Sequence, residues 1–142
     1  MSAVKAIPDG YHAIQPYVII KDAANLIEFL KSAYDGIEVS RELQNGQIVH
    51  AEVRIGDSVF ITTEATAAHP PAPTTVYLYV ADVDATYRRA LQAGATSLGE
   101  PEDKPYGDRG AGVKDPCGNI WWLASHIRDL EHHRRMFAAA RG

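Results

Sequence analysis

The residues best suited to chemistry fall in two places, and the denser is the stretch PYGDRGAGVKDPCGNIWWLASH over 105–126. Tyr106, Asp108 and Arg109 come together in its glycine-rich opening. A guanidinium there can fork onto a carboxylate or phosphate, and a neighbouring Asp can orient it or accept a proton. Gly107, Gly110 and Gly112 permit tight turns or a close backbone approach. They do not make a phosphate loop, because no Gly-Lys-Ser/Thr follows and no strand–loop–helix context surrounds them. The second place is QIVHAEVRIGDSVFITTEA over 47–65. Strand alternation puts Val49, Ala51, Val53 and Ile55 on one face and His50, Glu52 and Arg54 on the other. A His beside a carboxylate moves protons near neutral pH, which makes His50 a candidate general base. Without chemistry, the same face is an exposed strand or a subunit contact. Cys117 lies within a turn with no evident activating base and is not expected to be a nucleophile.

These residues sit in a chain that echoes itself. PYVIIKDAANLIEFLKSAY and VYLYVADVDATYRRALQAG share one design: an apolar run, an Asp, then a segment of helical period. Tyr17 matches Tyr77, Ile20 matches Val80, Asp22 matches Asp82 and Ala33 matches Ala93, all at one offset. Each Asp is placed to cap a helix. Ala23, Leu26, Ile27 and Leu30 follow the first at i, i+3, i+4 and i+7; Val83, Tyr87, Ala90 and Leu91 nearly repeat this after the second. Two strands around Gly56-Asp57 follow the first helix, and two around the turn Asp115–Gly118 follow the second. EVSREL and TSLGE supply one more short strand each. EATAAHPPAPTT is a linker. The expected organisation is a single domain over 1–142, with a first βαβββ module at 10–66, a linker at 67–73, a second module at 74–128 and a helical tail at 129–142. Two such units pack so that each completes the other's core.

Composition narrows the function. A net charge of −4 gives no nucleic-acid footprint. The basic cluster HHRRMFAAAR reads as a solvated helix end, with His132 and His133 in water. No apolar run reaches the roughly 20 residues of a membrane helix. The start MSAVKAIPDGYH lacks a signal-peptide core, and Cys117 is the only cysteine, so a cytoplasmic location is expected.

Strand, Asp and helix in duplicate, closing on DPCGNIWWLASH, resemble the vicinal oxygen chelate superfamily. This group holds glyoxalase I, the bleomycin- and fosfomycin-resistance proteins and the extradiol dioxygenases. The resemblance is closest to its PhnB-like branch and covers roughly residues 10–128. It implies an α+β fold in which two tandem βαβββ modules form a curved mixed sheet around a cleft, and it implies a homodimer. Metal-dependent members place four His or Glu ligands on that cleft. The corresponding positions here fall on Gln15, Thr75, Trp122 and either Phe60 or Thr62, so no metal and no cofactor are expected. A site built from His50, Glu64 and His126 is the unfavoured alternative.

Anchored on those positions, alternation turns Gln15, Tyr17, Phe60, Thr62, Glu64, Thr75, Tyr77, Tyr79, Trp122, Ala124 and His126 toward the cleft, with Trp121 and Leu123 facing the helix. Five rings would then line one concavity, with Tyr106, Asp108 and Arg109 at its rim. The bland reading is that the rings fill the cleft themselves. The favoured function is metal-independent binding of a flat or aromatic organic molecule, as in drug sequestration and antibiotic resistance. The alternative is a lyase or isomerase with Glu64 or His50 as base and Arg109 as anchor. A divalent-metal enzyme and a non-catalytic assembly module rank below both.

Overall fold

The computed structural model describes residues 3–133. Most of the expected helical tail at 129–142 lies outside them. Two copies of one βαβββ unit follow each other. The first is β1 (Tyr17–Ile20), α1 (Ala23–Tyr34), β2 (Ile37–Gln44), β3 (Gln47–Ile55) and β4 (Ser58–Glu64). The second is β5 (Thr75–Tyr79), α2 (Val83–Gln92), β6 (Thr96–Asp103), β7 (Asp108–Lys114) and β8 (Ile120–His126). Each unit forms its own four-stranded sheet, ordered β1-β4-β3-β2 and β5-β8-β7-β6. The outer pairs β1/β4 and β5/β8 are parallel and the remaining pairs antiparallel.

Both helices start where the sequence places them. Asp22 accepts the Asn25 N–H at 3.3 Å and Asp82 accepts the Ala85 N–H at 3.1 Å. A second device closes each start from the neighbouring strand. Glu64, at the end of β4, accepts the N–H groups of Asp22 and Ala23 at 2.8 and 2.9 Å. Ser125, near the end of β8, accepts the Val83 N–H at 3.0 Å and donates to the Val80 carbonyl at 2.7 Å. Helix N-termini leave backbone donors unpaired, and a carboxylate there also meets the positive end of the dipole.

One core joins the modules. Trp121 is fully buried and packs on Tyr34 of α1 and Phe60 of β4, with ring centroids 4.8 and 5.4 Å away. Its Nε1–H donates to Asp115 Oδ2 at 2.8 Å. Asp115 also accepts the N–H groups of Cys117 and Asn119 and the Asn119 side-chain amide, at 2.8 to 3.0 Å. Asn119 in turn accepts the Thr74 N–H at 2.9 Å. The DPCGN turn is therefore the anchor that fixes β8 against β5 and the shared core. Cys117 fits that role: burial, and the carboxylates of Asp115, Asp22 and Glu64, push its thiol up to about 11, so it stays protonated.

Tyr34 carries a cost in this core. Its hydroxyl is buried without a hydrogen-bond partner among the described residues. Removing an unpaired buried polar group gains back its desolvation cost, so Tyr34→Phe should raise unfolding stability by about 1 kcal/mol in urea titration.

Candidate functional site

The open face of the second sheet holds a cavity of about 740 Å³, within the range of sites for drug-sized molecules. Tyr77 on β5 and Trp122 on β8 are cross-strand partners, and Gly112 on β7 pairs with Trp122 from the other side. A Cβ on Gly112 would lie 2.3 Å from a ring carbon of Trp122. Glycine is required there because the indole occupies the space above its backbone. Trp122 stays 42% exposed, so its ring is a wall of the cavity and not part of the core. Tyr106, Leu98 and Pro101 add apolar surface, while Glu100, Glu102 and Lys104 bring charge to β6 and the turn after it.

Behind this wall lies Asp108, buried at the start of β7. Its Oδ2 accepts the hydroxyls of Tyr77 and, at 2.9 Å, Tyr79; its Oδ1 faces His126 Nδ1 at 2.9 Å. Burial alone would push this carboxyl up, but the bonds from Tyr77, His126 and Tyr79 outweigh it and hold Asp108 below the usual carboxylate range. Burial, and then the Asp108 charge, raise both tyrosines, so they remain phenols. Asp108 thus fixes the orientation of two rings.

The second module keeps the expected arrangement in part. Tyr77, Tyr106 and Trp122 line the cavity, Tyr79 and His126 line a separate, smaller opening at the end of β8, and Thr75 shares the face of Tyr77 at the exposed start of β5. Arg109 does not join them. Neighbouring residues on a strand point to opposite faces, so with Asp108 turned to the open side Arg109 must face the helix. There its guanidinium forks onto Asp84 of α2 at 2.8 and 3.0 Å and reaches Asp103 at 3.0 Å. Asp84 and then Asp103 raise its already high pKa further.

In the first module the expected facing is reversed along β4. Phe60 is in the core and Thr62 is fully buried, donating to the Val18 carbonyl at 2.9 Å. Glu64 is occupied by the start of α1. The residue that pairs with Tyr17 is Ile61, as Trp122 pairs with Tyr77. The interval from Tyr17 to Ile61 is one residue shorter than that from Tyr77 to Trp122, and a shift of one exchanges the faces. Tyr17 stays on the open face of the first sheet, away from the cavity lining, so the five rings do not form one concavity. Gln15 closes a local turn by accepting the His12 N–H at 2.6 Å.

His50 and Glu52 do share a face. Their Nε2 and Oε2 are 2.7 Å apart, and Tyr11 donates to the other oxygen of Glu52. The bonds from Tyr11 and His50 lower the Glu52 pKa. A carboxylate lowered by folding contributes stability that is fully present above its unfolded value of about 4.3 and is lost as pH falls through the folded value. Glu52→Gln should therefore flatten the acid side of a stability–pH profile below about pH 4.3, as read by urea midpoints from pH 2 to 7.

The positions to which the resemblance assigns metal do not fit one. Trp122 and Phe60 offer no lone pair, Thr62 is buried and donates to the Val18 carbonyl, Thr75 is a neutral oxygen, and the Gln15 oxygen is already engaged. Ile61, which the register brings to the open face in place of Phe60 or Thr62, offers no lone pair either. The TSLGE strand is where expected, but its part in the cavity is what sequence reasoning missed: Leu98, Glu100 and Pro101 of β6, and Lys104 just after it, belong to the cavity wall or its rim. Its TSLGEPED sequence is exposed nearly throughout and carries no apolar alternation to reveal a face.

The chain belongs to the Glyoxalase/Bleomycin resistance protein/Dioxygenase superfamily, whose family model matches residues 12–123. An uncharacterized protein of Mycobacterium bovis, Mb0911c, is 35% identical over 130 residues, spanning 83% of this chain and 86% of that protein. Among solved structures, TioX from Micromonospora sp. ML1 superposes with a TM-score of 0.70 at 23% identity, covering 82% of this chain and 99% of that one. TnmS3, an antibiotic binding protein from Streptomyces sp. CB03234, gives 0.66 at 21% identity, covering 87% and 99%. At these identities the two structures establish the fold. No helix among the described residues is long and apolar enough to cross a membrane.

Proposed function

We propose that this chain binds a flat or aromatic organic molecule in the cavity of its second module, without a metal at the positions the superfamily uses, and that it acts by sequestration. The observation that carries this is the Trp122 indole, held over Gly112 and left partly open beside Tyr77 and Tyr106 in about 740 Å³ of space. Such rings contribute about 0.5–1.5 kcal/mol per stacked contact beyond the area they bury. The likeness to TnmS3 supports the reading, and a drug or antibiotic is the class of ligand it suggests. We further propose a cytoplasmic homodimer. Ile37, Val39, Leu43 and Val49 leave exposed apolar side chains on β2 and β3 that a second copy would cover. Light scattering should then give twice 15.5 kDa.

The test is a thermal-shift screen of planar aromatic compounds against the chain and Trp122→Ala. Compounds that raise the midpoint of the first and not of the second support the reading. Equal shifts in both would place the ligand elsewhere. Proton-transfer chemistry of a lyase or isomerase is the second reading, favoured by the His50–Glu52 pair. Glu64 does not serve it, since both its oxygens accept backbone N–H groups.

A further inference from the structure

A second, smaller opening of about 270 Å³ lies at the end of β8, lined by Tyr79, His126, Asp129 and His133. One ligating atom from each of His126, Asp129 and His133 lies within 4.8 Å of the other two. We propose that these three side chains bind a divalent metal ion of the zinc or nickel class. The site is separate from Gln15, Thr75, Trp122 and Ile61, and it does not rest on the ligand proposed for the cavity.

The donor set suits such an ion: two imidazoles and one carboxylate, with at least one further position for water or an oxygen of a bound molecule. The surroundings of His126 favour it further. Its Nδ1 faces Asp108 Oδ1 at 2.9 Å and its Nε2 faces Asp129 Oδ1 at 2.7 Å. A neutral imidazole has one proton for the two carboxylate oxygens that face its ring nitrogens. An ion between Nε2 and Asp129 leaves that proton on Nδ1 for Asp108. A carboxylate behind a ligating histidine fixes its tautomer and ring orientation and raises its basicity. Asp108 is itself fixed by Tyr77 and Tyr79, so the ring is oriented from the cavity outward.

His133 provides a marker. Its Nδ1 accepts the Leu130 N–H at 3.1 Å. An ion on Nδ1 uses that lone pair, and an ion on Nε2 leaves a proton on Nδ1. Either way, loading the site breaks the Leu130 bond.

The experiment uses the full chain, untagged and stripped with chelator, titrated with zinc chloride and with nickel chloride by calorimetry. Amide spectra are followed in parallel. One ion per chain is expected, with a shift of the Leu130 amide. His133→Gln and His126→Gln should each reduce affinity, and Asp108→Asn by about tenfold or more. His69→Gln, in the exposed segment between the modules, should leave binding unchanged. His133→Gln lies at the rim, so it tests the site even where Asp108→Asn unfolds. Less than about a tenth of an equivalent bound by the chain would overturn the proposal. So would binding that survives both histidine substitutions, or saturation that leaves Leu130 unmoved.

Discussion

Trp121→Ala is expected to cost about 3–5 kcal/mol of stability, the range for deleting a large buried aromatic side chain. For a chain of this size that lowers the thermal midpoint by roughly 10–20 °C. The loss is large because the ring does three things at once. It fills part of the shared core, contacts Tyr34 and Phe60 of the first module, and donates to the Asp115 hub that organises the last turn. Since its contacts span both modules, unfolding should remain a single transition. A variant in which the first module melts at its original temperature and the second earlier would show that the core is not shared. Circular dichroism followed through a thermal ramp distinguishes the two.

Gly112→Ala should do the opposite, leaving stability nearly intact while damaging the cavity. The added methyl would stand 2.3 Å from the Trp122 ring, which must swing away. Trp122 is partly exposed, so the ring has room to move at little cost. The ligand then loses the wall on which it stacks. Removing a large aromatic contact corresponds to about 1.5–3 kcal/mol, or a tenfold to hundredfold weaker dissociation constant. Fluorescence titration of the variant with a compound selected on the parent chain measures this. Unchanged affinity would remove Trp122 from the site.

These two expectations show how far the sequence could be read. Trp121 and Trp122 are adjacent, and the alternation that assigns one to the core and the other to the open face is legible without coordinates. The Asp caps, the helix faces and the duplicated order of elements are equally local and were readable for the same reason. The first module escaped because the interval from Tyr17 to its partner on β4 differs by one residue from that in the second. That single residue moves Phe60 and Thr62 into the core and brings Ile61 to the open face. Arg109 was misplaced by its neighbour: Asp108 and Arg109 read as a pair along the chain, but consecutive strand residues cannot serve the same side. The role of Asp108 as acceptor for Tyr77, Tyr79 and His126 depends on three strands converging, and no local pattern announces it.

The central claim is that a planar aromatic molecule stacks on Trp122 in the second module. The most direct measurement follows the two indole N–H signals in a nitrogen-15 spectrum while such a compound is added. The Trp122 signal should move in a saturable way, and that of the buried Trp121 should stay in place. Saturable binding with Trp122 unmoved would contradict the claim, as would a panel of aromatic compounds none of which shifts it.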